Sequence, residues 1–592
     1  MEPPAIDITS LTRSAIDALR SGNLQQAERI FRNILETDPN NVAALHFTGV
    51  IHYQRKDYPS SIAYIRKALQ LGPTYVDAYN NLGIVLQETG QFDEAISCYN
   101  KAIQLNPDFE RAYYNLGTAL KEKWQIDEAI TNYQKAIKLN PHLVEAYNNL
   151  GLALQEQGRL DEAEDSYRHA LCLKPNFALC HSNLLLLMNY NSRHDAQSVF
   201  SEHLRFAKQF VEPLAASILP HTNEPDPGRR LRIGYVSPDF RRHSVNYFIE
   251  PVLSEHNHEQ FEIFCYSDVI KPDDATERLQ GYADQWRNIT GISDEEVSDM
   301  IRKDVIDILV DLAGHTAHNR LLVFARKPAP VQVTWIGYPP TTGLSTIDYK
   351  IVDNFSNPPG DADRYYTEQL VRLPECFVVY LHDRDSPAVG TLPALSAGYI
   401  TFGSFNNFAK ITPEVVMAWT QILHAVPDSH MLIKWKSFSD EATRQCALRL
   451  FSEKGITADR IHLQTAEPSP KHLAAYHSID IGLDTFPFNG LTTTCEALWM
   501  GVPVITLTGD AYASRAGASL LSNIGLSALI ADNYDEYVNI AVALATDIKR
   551  LQLFREGLRD IMQRSPLMHG KQFTHTLEKQ YRKIWKTWCD TR

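Results

Sequence analysis

Residues 76–109 read VDAYNNLGIVLQETGQFDEAISCYNKAIQLNPDF, and residues 110–143 repeat the pattern as ERAYYNLGTALKEKWQIDEAITNYQKAIKLNPHL. The step extends in both directions. Pro39, Pro73, Pro107, Pro141 and Pro175 are 34 residues apart, as are Gly49, Gly83, Gly117 and Gly151, and Ala68, Ala102, Ala136 and Ala170. Small residues early and late, with a proline to close, describe a pair of helices that approach closely before the chain is forced to stop. Five such units fit residues 6 to 182, the first degenerate, as an end repeat should be. Gly90 and Gly158 supply a permissive backbone at the turn between the helices. Lys56 and Trp124 occupy the same phase, so their two turns are expected to be built differently.

A period of 34 with these positions is the tetratricopeptide pattern, which stacks hairpins into a superhelix with a concave groove. Asn81, Asn115, Asn149 and Asn183 share one phase on the first helix of successive units. Two readings stand side by side. Each amide caps or bonds within its own repeat, or the four form a ladder that grips an extended acceptor polypeptide by its backbone. The repeats are also a candidate surface for a homodimer.

With 592 residues the chain exceeds a single core, and its net charge of −14 argues against a nucleic-acid or anionic-membrane partner. Eight cysteines without a CxxC pair fit a reducing compartment better than a disulfide framework or a zinc site. The acidic start Met1-Glu-Pro-Pro lacks an apolar run, and no stretch of about 20 apolar residues occurs, so a cytoplasmic location is expected.

The period breaks after residue 183. Residues 184–230 read as a helical linker with an Asn- and Leu-rich helix, a second helix around Phe200 to Phe210 and the segment HTNEPDPGRR. From Leu231 short apolar runs alternate with helices, the signature of α/β domains with parallel sheets. Expected strands are 231–237, 261–267, 307–314 and 331–338, then 399–405, 431–436, 460–464, 480–485 and 502–509. Two series predict twin Rossmann-like domains, residues 231–390 and 391–592, with ligands at the carboxyl ends of the strands. No dinucleotide glycine motif, Walker A loop, HExxH or carboxylate cluster for a metal is found, so no metal and no other cofactor is expected. His315 and His318, in GHTAH, have ligand-like spacing but read as loop or core histidines. A diphosphate leaving group must then be met by side-chain cations and backbone amides.

Two stretches offer these. Lys410 lies in TFGSFNNFAKITPE just after a strand, where Thr412 and Pro413 open a helix. In FPFNGLTTTCEALWMG, Asn489 and Gly490 make a tight turn, and Thr492, Thr493 and Thr494 open another helix, a phosphate cradle with Glu496 one turn on for ribose hydroxyls. The plainer reading makes the threonines ordinary N-caps and Lys410 a surface charge.

These stretches, with LRIGYVSPDF, RRHSVNYFIEP, ILVDLAGHTAHNRL and APVQVTWIGYPPTTGLSTIDY, resemble the catalytic region of the O-GlcNAc transferase family, nearest its SPINDLY branch. The resemblance implies a GT-B fold behind the repeats and inverting, metal-independent transfer from a nucleotide-sugar to intracellular protein acceptors. It implies that Lys410 stabilises the departing diphosphate, Asn407 lines the same pocket, Thr492 and Thr493 bind phosphate, Glu496 holds the ribose and His472 lies near the base. Gly490 and Leu491 belong to that turn. His243 would sit beside the acceptor hydroxyl, and Gly337 and Pro339 would form the floor near the sugar. Animal O-GlcNAc transferases carry His, Gln, His and Asp where this chain has Asp307, Asn407, Leu491 and Glu496. Asn407 and Glu496 match the SPINDLY-like branch and imply GDP-fucose ahead of UDP-GlcNAc, while Leu491 matches neither. A repeat scaffold that binds nucleotide without turnover, and a small-molecule glycosyltransferase or epimerase, are the alternatives.

Overall fold

A computed structural model describes residues 7–468 and 471–591 of the chain. The acidic start at residues 1–6 lies outside the described residues. Two compact units divide at 154/155.

The first unit is built of helical hairpins: α1 (Ile8–Arg20) with α2 (Leu24–Thr37), α3 (Val42–Gln54) with α4 (Tyr58–Leu71), α5 (Val76–Glu88) with α6 (Phe92–Leu105), and α7 (Glu110–Glu122) with α8 (Ile126–Leu139). α9 (Val144–Glu156) opens the next repeat. The periodic glycines are explained by contact. A Cβ on Gly83 would lie 2.5 Å from the Tyr99 ring, and one on Gly117 would lie 2.8 Å from Tyr133, so the second helix seats its tyrosine where no side chain fits. Ala102 and Ala136 are fully buried between the helices.

The expectation that the Lys56 and Trp124 turns differ is overturned. Lys56 (φ 62°) and Trp124 (φ 60°) take the same left-handed conformation as Gly22 (φ 79°) and Gly90 (φ 77°). The bonding is shared as well: the amides of Lys56, Trp124 and Gly90 each donate to the carbonyl three residues before, at 2.8, 2.9 and 3.0 Å. Helix spacing dictates the turn, and the two non-glycine residues accept the strain.

The second unit begins with α10 (Leu160–Leu173), α11 (Ala178–Met188) and α12 (Ala196–Phe206), the last passing through a π turn (Ala207–Val211) and a 3-10 turn (Glu212–Ser217). Two parallel sheets follow. The first holds β1 (Leu231–Ser237), β2 (Phe261–Ser267), β3 (Gln285–Asn288), β4 (Ile308–Asp311), β5 (Val331–Thr334), β6 (Tyr349–Asp353) and β7 (Gln369–Leu373), in the order β3-β2-β1-β4-β5-β6-β7. The second holds β8 (Thr401–Ser404), β9 (His430–Lys434), β10 (Ile461–Gln464), β11 (Ile481–Leu483), β12 (Val504–Leu507) and β13 (Ile530–Ala531), in the order β10-β9-β8-β11-β12-β13. Both have the doubly wound Rossmann order, with switch points at β1/β4 and β8/β11. This is the GT-B arrangement expected from the sequence.

β1 and β2 match their expected limits, whereas β4 and β5 stop short. At the end of β4 the Asp311 carboxylate takes the Ala313 and Gly314 amides and turns the chain. After β5, Ile336 enters the left-handed region (φ 54°), so the apolar run WIGY leaves the sheet. The lobes are tied together. Ser519 of the second donates to the buried Asp353 carboxylate at the end of β6, which also takes the Phe377 amide at 2.8 Å. The final helix, Gly570–Cys589, packs Phe573, Tyr581 and Trp585 into the core of the first sheet. Among the described residues no helix is long and apolar enough to cross a membrane.

Candidate donor and acceptor site

β8 and β11 are neighbours, pairing Phe402 with Ile481 and Gly403 with Gly482. Their following loops therefore meet at the switch point of the second sheet. One is the short turn Phe408–Lys410; the other runs from Asp484 to the helix Thr492–Trp499. The Lys410 ammonium donates to the Asn489 carbonyl at 3.0 Å and lies 4.2 Å from the centre of the Phe488 ring. Burial pulls its pKa down to about 8, opposed by the Asp484 carboxylate.

The helix start carries no side-chain cap: its N-cap residue, Leu491, makes no such bond, so the threonines are not ordinary N-caps. Thr493 donates to Asn406 Oδ1 at 3.0 Å, and Thr494 turns back to the Gly490 carbonyl at 3.0 Å, so these two hydroxyls shape the turn. Gly490 is required by space: a Cβ there would lie 2.3 Å from Thr493 Oγ1 and 2.7 Å from Asn406 Oδ1. Asn407 accepts the Ala409 amide at 3.0 Å and caps its own turn, whereas its neighbour Asn406 reaches across to the helix. One turn along, the buried Glu496 accepts from His472 Nε2 at 3.1 Å and from the Tyr476 hydroxyl at 3.3 Å. His472 and Glu496, distant in sequence, thus share one wall, and Lys434 donates to the His472 carbonyl at 3.3 Å.

The first lobe supplies the facing side. His243 follows β1 in the 238–245 loop, its Nδ1 3.4 Å from Asp239 Oδ1. Lost solvation holds its pKa below the ordinary histidine value; Asp239 opposes this, while Arg241 and Lys436 reinforce it. Lys436 belongs to the second lobe, so the imidazole feels both sides of the cleft. Gly337 has no room for a side chain, since a Cβ would lie 2.0 Å from the Leu312 carbonyl oxygen. The loop bearing Gly337 and Pro339 is clamped from below. Glu368 accepts from Thr341 Oγ1 at 2.6 Å and the Thr342 amide at 2.7 Å, and Lys350 donates to the Tyr338 carbonyl at 2.9 Å. The Tyr338 hydroxyl pairs with His203 at 2.9 Å and accepts from Asn189 at 3.1 Å.

Other expected positions fall elsewhere. His315 is a core residue, bonded to Ser182 (3.0 Å) and the Thr342 carbonyl (2.8 Å), and His318 sits in a left-handed turn. Among the described residues no group of three or more His, Cys, Asp or Glu is placed to hold a metal ion. Asp307, read as bearing on the donor, lies at the amino end of β4, away from the ligand edge. It is fully buried, takes Arg229 through both carboxylate oxygens and accepts the Arg232 amide at 2.8 Å. Its departure from the animal pattern is therefore structural. Asn406, Asp484, Tyr476 and Glu368 were not singled out from the sequence.

In the first unit, each periodic asparagine uses its Nδ2 on a side chain 35 residues earlier: Asn81 on His46 (2.9 Å), Asn115 on Asn80 (2.9 Å) and Asn149 on Tyr114 (3.2 Å). His46 is kept neutral by burial, its pKa lowered to about 4, and so can accept. The amides stitch repeat to repeat yet remain half-buried, neither capping their own helix nor fully withdrawn. Asn183, in the second unit, is buried on α11.

Residues 180–389 and 391–577 match Glycosyl transferase family 41. The chain belongs to glycosyl transferase family 41. Tetratricopeptide repeat families match residues 12–76, 76–109, 98–131, 122–158 and 144–177. Over 373 residues this family 41 chain is 47% identical to a Petunia hybrida protein named "Probable UDP-N-acetylglucosamine--peptide N-acetylglucosaminyltransferase SPINDLY", covering 62% of this chain and 40% of that one. The Arabidopsis thaliana protein of the same name is 46% identical over 372 residues, with coverage of 62% and 41%. The Arabidopsis protein named SEC is 34% identical over 374 residues, with 61% and 38%. The chain spans about two fifths of the length of these curated relatives. A solved lysine-to-methionine mutant of Thermobaculum terrenum O-GlcNAc transferase superposes with a TM-score of 0.82 at 36% identity, covering 88% of this chain and 99% of that one. The higher identity to the SPINDLY proteins than to SEC agrees with the branch read from the motifs.

Proposed function

We propose that the chain transfers a sugar from a nucleotide-sugar to Ser or Thr hydroxyls of intracellular proteins, by inverting displacement and without a metal ion. One observation carries the donor side: the Lys410 ammonium and the uncapped amides of the helix Thr492–Trp499 converge on the Asn489–Gly490 turn. An ammonium beside a helix N-terminus meets the charge that develops on a departing diphosphate. The acceptor oxygen attacks the anomeric carbon as the bond to the diphosphate breaks. The nucleotide leaves with the electron pair, and the acceptor proton passes to the His243 imidazole, whose pKa burial holds below the ordinary histidine value. Glu496 with His472 takes the nucleoside end, Thr492 and Thr493 lie at the phosphates, and the Gly337–Pro339 backbone floors the sugar.

The repeats favour a protein acceptor over a small molecule, which needs no extended groove. For the donor, Asn407 and Glu496 favour GDP-fucose, while the relatives named above point to UDP-N-acetylglucosamine. GDP-fucose and UDP-GlcNAc offered separately with a cell lysate decide between them. Added mass on proteins from one donor supports the reading and names the sugar; product on free sugars alone would favour a small-molecule acceptor.

A further inference from the structure

Asp484 directly follows β11 and is 1% exposed. It accepts the Gly490 amide at 2.7 Å and the Thr485 amide at 2.9 Å on Oδ1, and the Thr506 hydroxyl at 2.8 Å on Oδ2. Space around it is closed, since a Cβ on Gly517 would lie 2.8 Å from Oδ2. The carboxylate thus holds one end of the turn whose Asn489 carbonyl receives the Lys410 ammonium. A buried ammonium loses its proton unless a negative charge faces it. We infer that Asp484 is a positioning residue for donor binding, which fixes the Gly490 turn and keeps Lys410 charged in the empty site so that a nucleoside diphosphate meets a cation already in place.

The electrostatics agree. Two effects act on the Lys410 pKa: burial lowers it to about 8, and the Asp484 carboxylate raises it. Burial also lifts Asp484 to about 6, against the pull of its three donors and of Lys410. Above pH 6 the pair is therefore carboxylate and ammonium, and the ammonium is lost as pH rises through about 8. Without the carboxylate, that loss moves to lower pH.

This inference rests on the donor reading above, and titration calorimetry with UDP and with GDP separates the two. Asp484→Asn keeps an acceptor for the Gly490 amide, and the Thr506 hydroxyl can rotate to accept from the new amide. At pH 6.5 the variant is expected to bind diphosphate at least as tightly as wild type, because an anion near the phosphates has gone. At pH 8.5 it is expected to bind about tenfold more weakly, the equivalent of one unit in the Lys410 pKa. A purely structural loss would weaken binding equally at both pH values and would overturn the inference. Failure of wild type to bind either diphosphate would instead sink the donor reading. If the variant does not fold, amine-selective labelling of Lys410 in wild type, followed by mass spectrometry against pH, gives the same decision. A half-point near 8 supports the charge-holding role, and one below 7 overturns it.

Discussion

Lys410 donates to the Asn489 carbonyl and stacks on Phe488 at the junction of two loops, a position that fits an incoming anion better than it serves the fold. Lys410→Ala is expected to lower transfer by about 100-fold or more, with little change in the thermal midpoint. Single-turnover assays and a melting curve check both halves; near wild-type turnover would remove Lys410 from the reaction. Asp307 is the opposite case. Its charge is fully buried against Arg229, so Asp307→Asn leaves a guanidinium short of its partner and is expected to cost about 3 kcal/mol of stability. The relative use of the two nucleotide-sugars should not move. A changed donor ratio would return Asp307 to the donor pocket.

The repeat turns make an argument about elements. Lys56 is exposed and left-handed, in the turn that Gly22 and Gly90 make elsewhere. Lys56→Gly is therefore expected to stabilise the repeats by about 1 kcal/mol, the strain it relieves, read as a higher urea midpoint. A lower midpoint would mean that the lysine side chain contributes more than its backbone costs. The same turns show where sequence reading reaches its limit. Period and helix limits follow from steric rules that act within 34 residues, and the glycines, alanines and prolines state them openly. Turn conformation is set by the helices on either side, which overrule the residue type.

In the sheets, β1 and β2 are legible because each is mostly apolar, broken only by Arg232 or Glu262 near its start and a closing serine. β3 reads QWRN and β6 carries the buried Lys350, so neither shows such a run. At the site, Lys410 and the threonine-rich helix start were visible as residue types after strands. Thr506 reaching Asp484, Asn406 reaching Thr493 and Glu368 gripping Thr341 depend on strand order, which sets partners 22 to 87 residues apart in the bonded pairs. Local pattern does not encode that.

At the scale of the molecule, the proposed function assigns the acceptor chain to the repeat unit and the donor to the doubly wound unit. Because the asparagines of the first unit bond one repeat to the previous one, Asn115→Ala with Asn149→Ala tests both of their roles. The double variant is expected to lower kcat/KM for protein acceptors about tenfold, if two side chain–backbone bonds of typical strength are lost, while donor hydrolysis is unchanged. Equal loss of both activities would assign the amides to the fold alone. The central claim, transfer from a nucleotide-sugar at Lys410 to a protein hydroxyl, is met most directly by one product analysis of wild type and Lys410→Ala. Fragment mass spectrometry locates the sugar, and NMR of the released glycopeptide gives its anomeric configuration. The account predicts sugar on Ser or Thr, with configuration opposite to that of the donor, in wild type and not in the variant; donor hydrolysis without protein product, or retained configuration, would contradict it.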